Sequence, residues 1–178
     1  MATSENTVTG ERGGILRILA EQRDTLRITV RGINDAQAGQ RTTVSDLTLG
    51  GLIKHAAQCE RTWVQILTEG GTPAGFIDPE QYCMRDGETL AGLLDEYAAA
   101  ARATEEAVAT LADLDRIVQV PSAPWWSDPP RWSIRHILLH LVRETAQHSG
   151  HADIIRESLD GANTTMQMGA DMGMEELS

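Results

Sequence analysis

A chain of 178 residues with 41% hydrophobic and 23% charged content has the makings of one soluble globular domain with a sizeable core. Its net charge of −11 argues against nucleic-acid partners, and no apolar run reaches the ~18 residues needed to span a bilayer. The N-terminus carries no basic stretch leading into an apolar core, and the two cysteines, Cys59 and Cys83, have no metal-binding spacing. Both features fit a cytoplasmic protein with isolated thiols.

Residues 1–10 are polar and are expected to be flexible. From Glu11 to about Arg31 apolar residues recur at Ile15, Leu16, Leu19, Leu26 and Val30, a helical spacing that Gly32 and Asn34-Asp35 interrupt. Ser45 is the expected cap of a second helix, which carries Leu49, Leu52, Ile53, Ala56, Cys59, Trp63, Ile66 and Leu67 and stops at Gly70-Gly71. The stretch 72–87 reads as a loop. A third helix spans about Glu88 to Ala112, with Leu90, Leu93, Leu94, Tyr97 and Val108 on its buried stripe. Residues 113–132 form another long connection, rich in Pro and Trp. Ser133 caps a fourth helix that runs to about Leu159 and is closed by Asp160-Gly161.

No strand signal competes with these four helices, so the expected fold is all-α, a four-helix bundle over residues 11–161. The long connections 72–87 and 113–132 exceed the ~2–8 residues that join simple neighbours, which predicts crossovers and loops covering one end of the bundle. The tail 162–178 is expected to be loose. Its Met166, Met168, Met172 and Met174 offer a surface for a partner, and a homodimer through helix faces and this tail is one arrangement.

Of five histidines, four lie within the sixteen residues from His136 to His151. Glu144 and His148 are four residues apart and fall inside the apolar stripe of the fourth helix, one turn from each other. A buried carboxylate needs a cation, an arginine or a proton, and Glu-x3-His alone occurs in many helices for purely structural reasons. His55, on the inner edge of the second helix, supplies a third inward group. Inward Glu and His on facing helices are how bundle cores bind metals, so His55, Glu144 and His148 are the candidate metal ligands. A site with two His, one Glu and an open position suits zinc best, with nickel, iron or manganese as alternatives. His151 follows His148 by three residues and is a candidate further ligand, hydrogen-bond partner to a ligand, or proton shuttle. His136 and His140 rotate toward the rim. Glu60 borders the inner face and is expected to pair with an arginine, and Cys59 reads as an inert core thiol. Trp125, Trp126 and Trp132 either plug the bundle end or wall a substrate pocket, and Arg85 and Arg131 are loop cations able to take a carboxylate.

Three pieces of the chain carry a family resemblance. They are Leu49-Gly50-Gly51-Leu52-Ile53-Lys54-His55-Ala56-Ala57-Gln58-Cys59-Glu60-Arg61-Thr62-Trp63, then Glu144-Thr145-Ala146-Gln147-His148-Ser149-Gly150-His151-Ala152-Asp153, and Ile155-Arg156-Glu157 followed by Asp160-Gly161. In order and spacing they resemble the DinB-like superfamily of metal-binding four-helix bundles, in the branch related to mycothiol-dependent maleylpyruvate isomerases and other thiol transferases. The resemblance extends from about residue 15 to 161. It implies metal ligation by His55, Glu144 and His148. Many members have His where Glu144 stands, whereas the isomerase relatives have Glu. It further implies mycothiol, or a similar low-molecular-weight thiol, as cosubstrate of an S-transferase or isomerase. The metal would activate that thiol, His151 would shuttle protons, and the loops 72–87 and 113–132 would hold a small-molecule electrophile. The chain lacks an evident second domain, so the isomerase substrate does not carry over. The alternatives are a metal-dependent hydrolase and a non-catalytic, stress-associated metal-binding module.

Overall fold

The computed structural model describes residues 10–173; the expected flexible N-terminus, apart from Gly10, and Met174 lie outside the described residues. Four long helices form the frame: α1 (Gly10–Ile28), α3 (Leu49–Thr68), α4 (Leu90–Thr110) and α5 (Ile134–Asp160). Two short helices, α2 (Asp35–Ala38) and α6 (Thr164–Asp171), and a 3-10 turn at Pro79–Tyr82 complete the helical part. The starts of α3, α4 and α5 each follow from a side-chain oxygen that satisfies a free N–H of the first turn. Thr48 accepts from Gly51 N, Thr89 from Gly92 N, and Ser133 from His136 N. The cap of the second long helix is therefore Thr48, three residues beyond the expected Ser45. Gly161, at φ +83°, ends α5 in the left-handed conformation that a Cβ would strain.

Helix α1 packs on α5, α3 packs on both α4 and α5, and α1 touches α4 more lightly. The bundle thus has two diagonal crossovers, α1 to α3 and α4 to α5. The expected crossover at 72–87 instead joins the neighbours α3 and α4. Its length has another cause, which is that it lies along α3. A Cβ on Gly51 would come 1.7 Å from Tyr82 O, and one on Gly50 would come 2.2 Å from Met84 Sδ.

Two expectations need correction. The connection into α5 contains a small antiparallel pair, β1 (Ile117–Gln119) and β2 (Arg131–Ser133), with Val118 opposite Trp132. Three-residue strands are too short to leave a periodic signal. The tail is also not wholly loose. Asn163 caps α6 by accepting from Met166 N, Asp153 Oδ1 accepts from Thr164 N and Oγ1, and Arg31 pairs with Asp171. Met166, Met168 and Met172 remain exposed on it.

The core is in two halves. Leu19, Trp63, Val108 and Leu141 belong to one apolar cluster, and Leu26, Ala57, Ala100 and Ala152 to the other. Between them every long helix contributes a buried polar side chain: Arg23, Glu60, Thr104 and Thr145. Arg23 makes a bidentate pair with Glu60, Nε to Oε1 at 2.8 Å and Nη2 to Oε2 at 2.6 Å, and Thr104 Oγ1 donates to Glu60 Oε2 at 2.7 Å. Arg23 Nη1 reaches the exposed Glu105. This is the Glu–Arg pair expected for Glu60.

Removing one partner of a buried ion pair leaves the other charge uncompensated, whereas replacing both by apolar groups does not. Arg23→Ala should therefore lower unfolding stability by about 3–5 kcal/mol, and Arg23→Met with Glu60→Leu should recover most of that loss. Urea denaturation checks this. An Arg23→Ala protein as stable as the wild type would show that the pair does not organise the core.

Candidate metal centre

His55 projects from the second turn of α3, and Glu144 and His148 from successive turns of α5. One donor atom of each lies within 4.8 Å of the other two, a grouping compact enough to hold a metal ion. His148 Nε2 is 3.8 Å from Glu144 Oε2. The His55 and His148 rings meet edge to face, with centroids 4.6 Å apart. Both histidines are buried, while Glu144 is half-buried.

The second nitrogen of each imidazole is engaged elsewhere. His55 Nδ1 is 2.9 Å from Gln81 Oε1, and His148 Nδ1 is 3.3 Å from His151 Nδ1. His55 Nε2 is fully buried with no hydrogen-bond partner. A buried polar atom without a partner is costly, and a bound cation would satisfy it. The donor set of two imidazoles and a carboxylate therefore fits a divalent transition-metal ion.

Burial disfavours the imidazolium at both ligand positions. It lowers the His55 pKa despite the Gln81 contact and the Glu144 charge, which act the other way. It also holds His148 down at about 4, with His55 adding to the effect and Glu144 opposing it. Both rings are thus neutral, with a lone pair free to ligate, at neutral pH.

Above His55 and Glu144 lies a cavity of about 420 Å³. Aromatic side chains from three parts of the chain form its walls: Trp63 of α3, Phe76 and Tyr82 of the α3–α4 connection, and Trp125, Trp126 and Trp132 of the hairpin before α5. Trp63 and Trp132 stack at 5.3 Å, and Trp126 meets Trp132 edge-on. The tryptophans thus close the bundle end and at the same time wall a cavity. Trp126 and Trp132 pack against the core cluster at that end and also face the cavity. Trp125 is 61% exposed.

His140, expected at the rim, is instead a largely covered wall residue, edge-on to Trp63 and 3.6 Å from Glu144 Oε1 through Nδ1. Arg143 Nη2 lies 2.7 Å from the same Nδ1. Since arginine can only donate, this nitrogen accepts and the ring proton sits on Nε2. Burial, together with the Arg143 charge and against the pull of Glu144, keeps His140 at about 4. The signal for His140 was its spacing of four from Glu144. His136 is exposed, as expected, and tilts over Trp132. His151 lies against His148 and is not among the side chains lining the cavity. The cation in the wall is Arg143, whereas Arg85 is taken up by Asp78 and Glu80. Cys59 also lines the cavity, and burial pushes its thiol pKa well up, so it stays protonated and inert.

Gln81 and Tyr82 carried no sequence signal of a role at the site. They come from a connection without periodicity, which settles against α3 at Gly50 and Gly51.

No helix among the described residues is long and apolar enough to cross a membrane. No curated protein matches the chain. Among solved structures, one described as the conserved protein of a locus from Enterococcus faecalis has a TM-score of 0.68 at 15% identity. The match covers 87% of this chain and 100% of that one, a likeness of fold. The model of one sequence family, described as mycothiol-S-transferase, matches residues 14–161, which takes in α3, the α3–α4 connection, α4 and α5 whole. With this match across the residues that build the bundle and its cavity, the chain belongs to the mycothiol-S-transferase family of DinB-like proteins.

Proposed function

We propose that this protein is a metal-dependent thiol S-transferase that joins a low-molecular-weight thiol, mycothiol or a close analogue, to a small electrophile in the cytoplasm. The observation that carries the reading is the convergence of His55, Glu144 and His148 within 4.8 Å beside a cavity of about 420 Å³. The membership of the family supports the choice of thiol. His55, Glu144 and His148 would hold the ion, with zinc the preferred occupant because two imidazoles, one carboxylate and an open position suit it. When bound, such an ion lowers the pKa of a coordinated thiol, so that the thiolate is available as a nucleophile near neutral pH.

The chain's own residues supply the remainder. The aromatic walls exclude water and strengthen electrostatic contacts with the reacting groups. Arg143, at the cavity wall, offers a guanidinium to an anionic group on either substrate. Cys59, held protonated, does not compete as a nucleophile. His151 touches the site only through His148 Nδ1, so we assign its proton-handling role to that hydrogen bond rather than to a position in the cavity.

Cobalt in place of zinc makes the thiol step visible. Cobalt-loaded protein should gain a thiolate charge-transfer band when mycothiol is added. His55→Ala, Glu144→Ala and His148→Ala should each lose most of the bound metal and with it the band. His136→Ala should retain both. A wild-type protein that holds one cobalt per chain but shows no band with mycothiol or simpler thiols would favour the hydrolase, with water as the nucleophile.

Ligand protonation gives a pH test. A metal competes with protons for an imidazole, so affinity falls once pH drops below the ligand's own pKa. An ordinary histidine at 6.5 would make affinity fall through that region, but His148 sits at about 4. As its pKa is depressed, its lone pair stays available at lower pH. The His55 pKa is lowered too, so metal affinity, measured against a competing chelator, should not begin its fall at 6.5 but at lower pH, with the His148 contribution lost as pH approaches about 4. A steep decline beginning at 6.5 would contradict the depressed value.

A further inference from the structure

We propose that Gln81 is a positioning residue for the metal centre. It holds His55 in the tautomer with the proton on Nδ1, so that the Nε2 lone pair faces Glu144 and His148. The consequence for metal affinity rests on the function proposed above, but the tautomer does not.

The two ring nitrogens of His55 have unlike surroundings. Nδ1 has Gln81 Oε1 at 2.9 Å, whereas Nε2 is buried without any partner. A proton on Nε2 would leave a buried N–H donor unsatisfied, and Nδ1 would then need the Gln81 amide turned to donate. A proton on Nδ1 meets an acceptor at once. The ring is also held in plane. Tyr82, the next residue, stacks on His55 with centroids 4.4 Å apart and planes at 28°.

Gln81 has to be delivered by a loop, and the loop is seated firmly. The backbone at Tyr82 sits so near α3 that a Cβ at Gly51 would fall 1.7 Å from Tyr82 O. The Lys54 side chain is almost wholly buried and donates from Nζ to Cys83 O at 3.1 Å and to Glu88 Oε2 at 3.0 Å. Asp78 Oδ1 caps the 3-10 turn by accepting from Glu80 N. Residues 78–88 thus form a strap pinned to the first two turns of α3, with Gln81 on its inner side. Gly50, Gly51 and Lys54, which touch no ligand atom, gain a role as the seat of this strap. Outer partners of this kind typically govern metal affinity by about 10–100-fold.

The test uses the full chain and two readouts. Long-range proton–nitrogen NMR on metal-free protein reports which nitrogen of His55 carries the proton. Zinc affinity is measured by competition with a chelator. Wild type should show a single tautomer with the proton on Nδ1. Gln81→Leu should show a mixture of tautomers and bind zinc about 10–100-fold more weakly. Gln81→Glu, which keeps the acceptor, should restore both. Gly51→Ala, which unseats the strap without altering any side chain at the site, should behave like Gln81→Leu. The proposal is overturned if Gln81→Leu leaves the tautomer unchanged, if it shifts the tautomer with zinc affinity intact, or if Gln81→Glu fails to rescue. Should the wild type itself bind no zinc, the proposed function fails, while the tautomer measurement still decides the part played by Gln81.

Discussion

The bidentate pair of Arg23 and Glu60 is the constraint on which this bundle depends. It sits at mid-height, between an apolar cluster around Trp63 and Leu141 and another around Leu52 and Ile155. Charges placed so deep are tolerated only with complete hydrogen bonding, and Thr104 supplies the further donor to Glu60. The arrangement fixes the register of α1, α3 and α4 against one another, because a shift of one turn along α3 would leave the guanidinium facing Ala57 or Trp63 instead of Glu60. The same polar layer continues across α3 and α5 as His55, Glu144 and His148. The candidate metal centre thus lies at the end of a polar stratum that the core already accommodates.

That placement explains the electrostatics of the site. A carboxylate and two imidazoles close together in a low-dielectric setting cannot all be left as they would be in water. Here burial keeps His55 and His148 neutral, with Gln81 and His151 beside their Nδ1 atoms. Both imidazoles therefore present a free lone pair without a cation, at the expense of a buried His55 Nε2 with no partner. The aromatic cavity continues outward from these three residues, walled by Trp63, Phe76, Tyr82 and the tryptophans of the hairpin.

Much of this was legible in the sequence, for reasons visible residue by residue. The four long helices announced themselves by apolar spacing, and Ser133 and Gly161 marked both ends of α5 because cap chemistry is local. Glu144 and His148 could be paired because four residues make about one turn. His55 joined them through the inward face of α3, although no spacing rule links residues about ninety positions apart. What could not be read depends on how irregular segments fold back. Strands β1 and β2 are too short to show a period. Helix α6 is fixed by Asp153, on the preceding helix, and by Arg31, which lies far from it in sequence. Gln81 reaches His55 only because Gly50, Gly51 and Lys54 let a featureless loop settle on α3. His140 was placed at the rim because helical rotation alone ignores the tryptophans that cover it.

The central claim is that the three residues of α3 and α5 hold a metal that takes the sulfur of a thiol. X-ray absorption at the zinc edge, on zinc-loaded protein with and without mycothiol, examines that bond itself. The account predicts nitrogen and oxygen scatterers alone before addition, and one sulfur at about 2.3 Å afterwards. A first shell that stays free of sulfur at saturating thiol would contradict it.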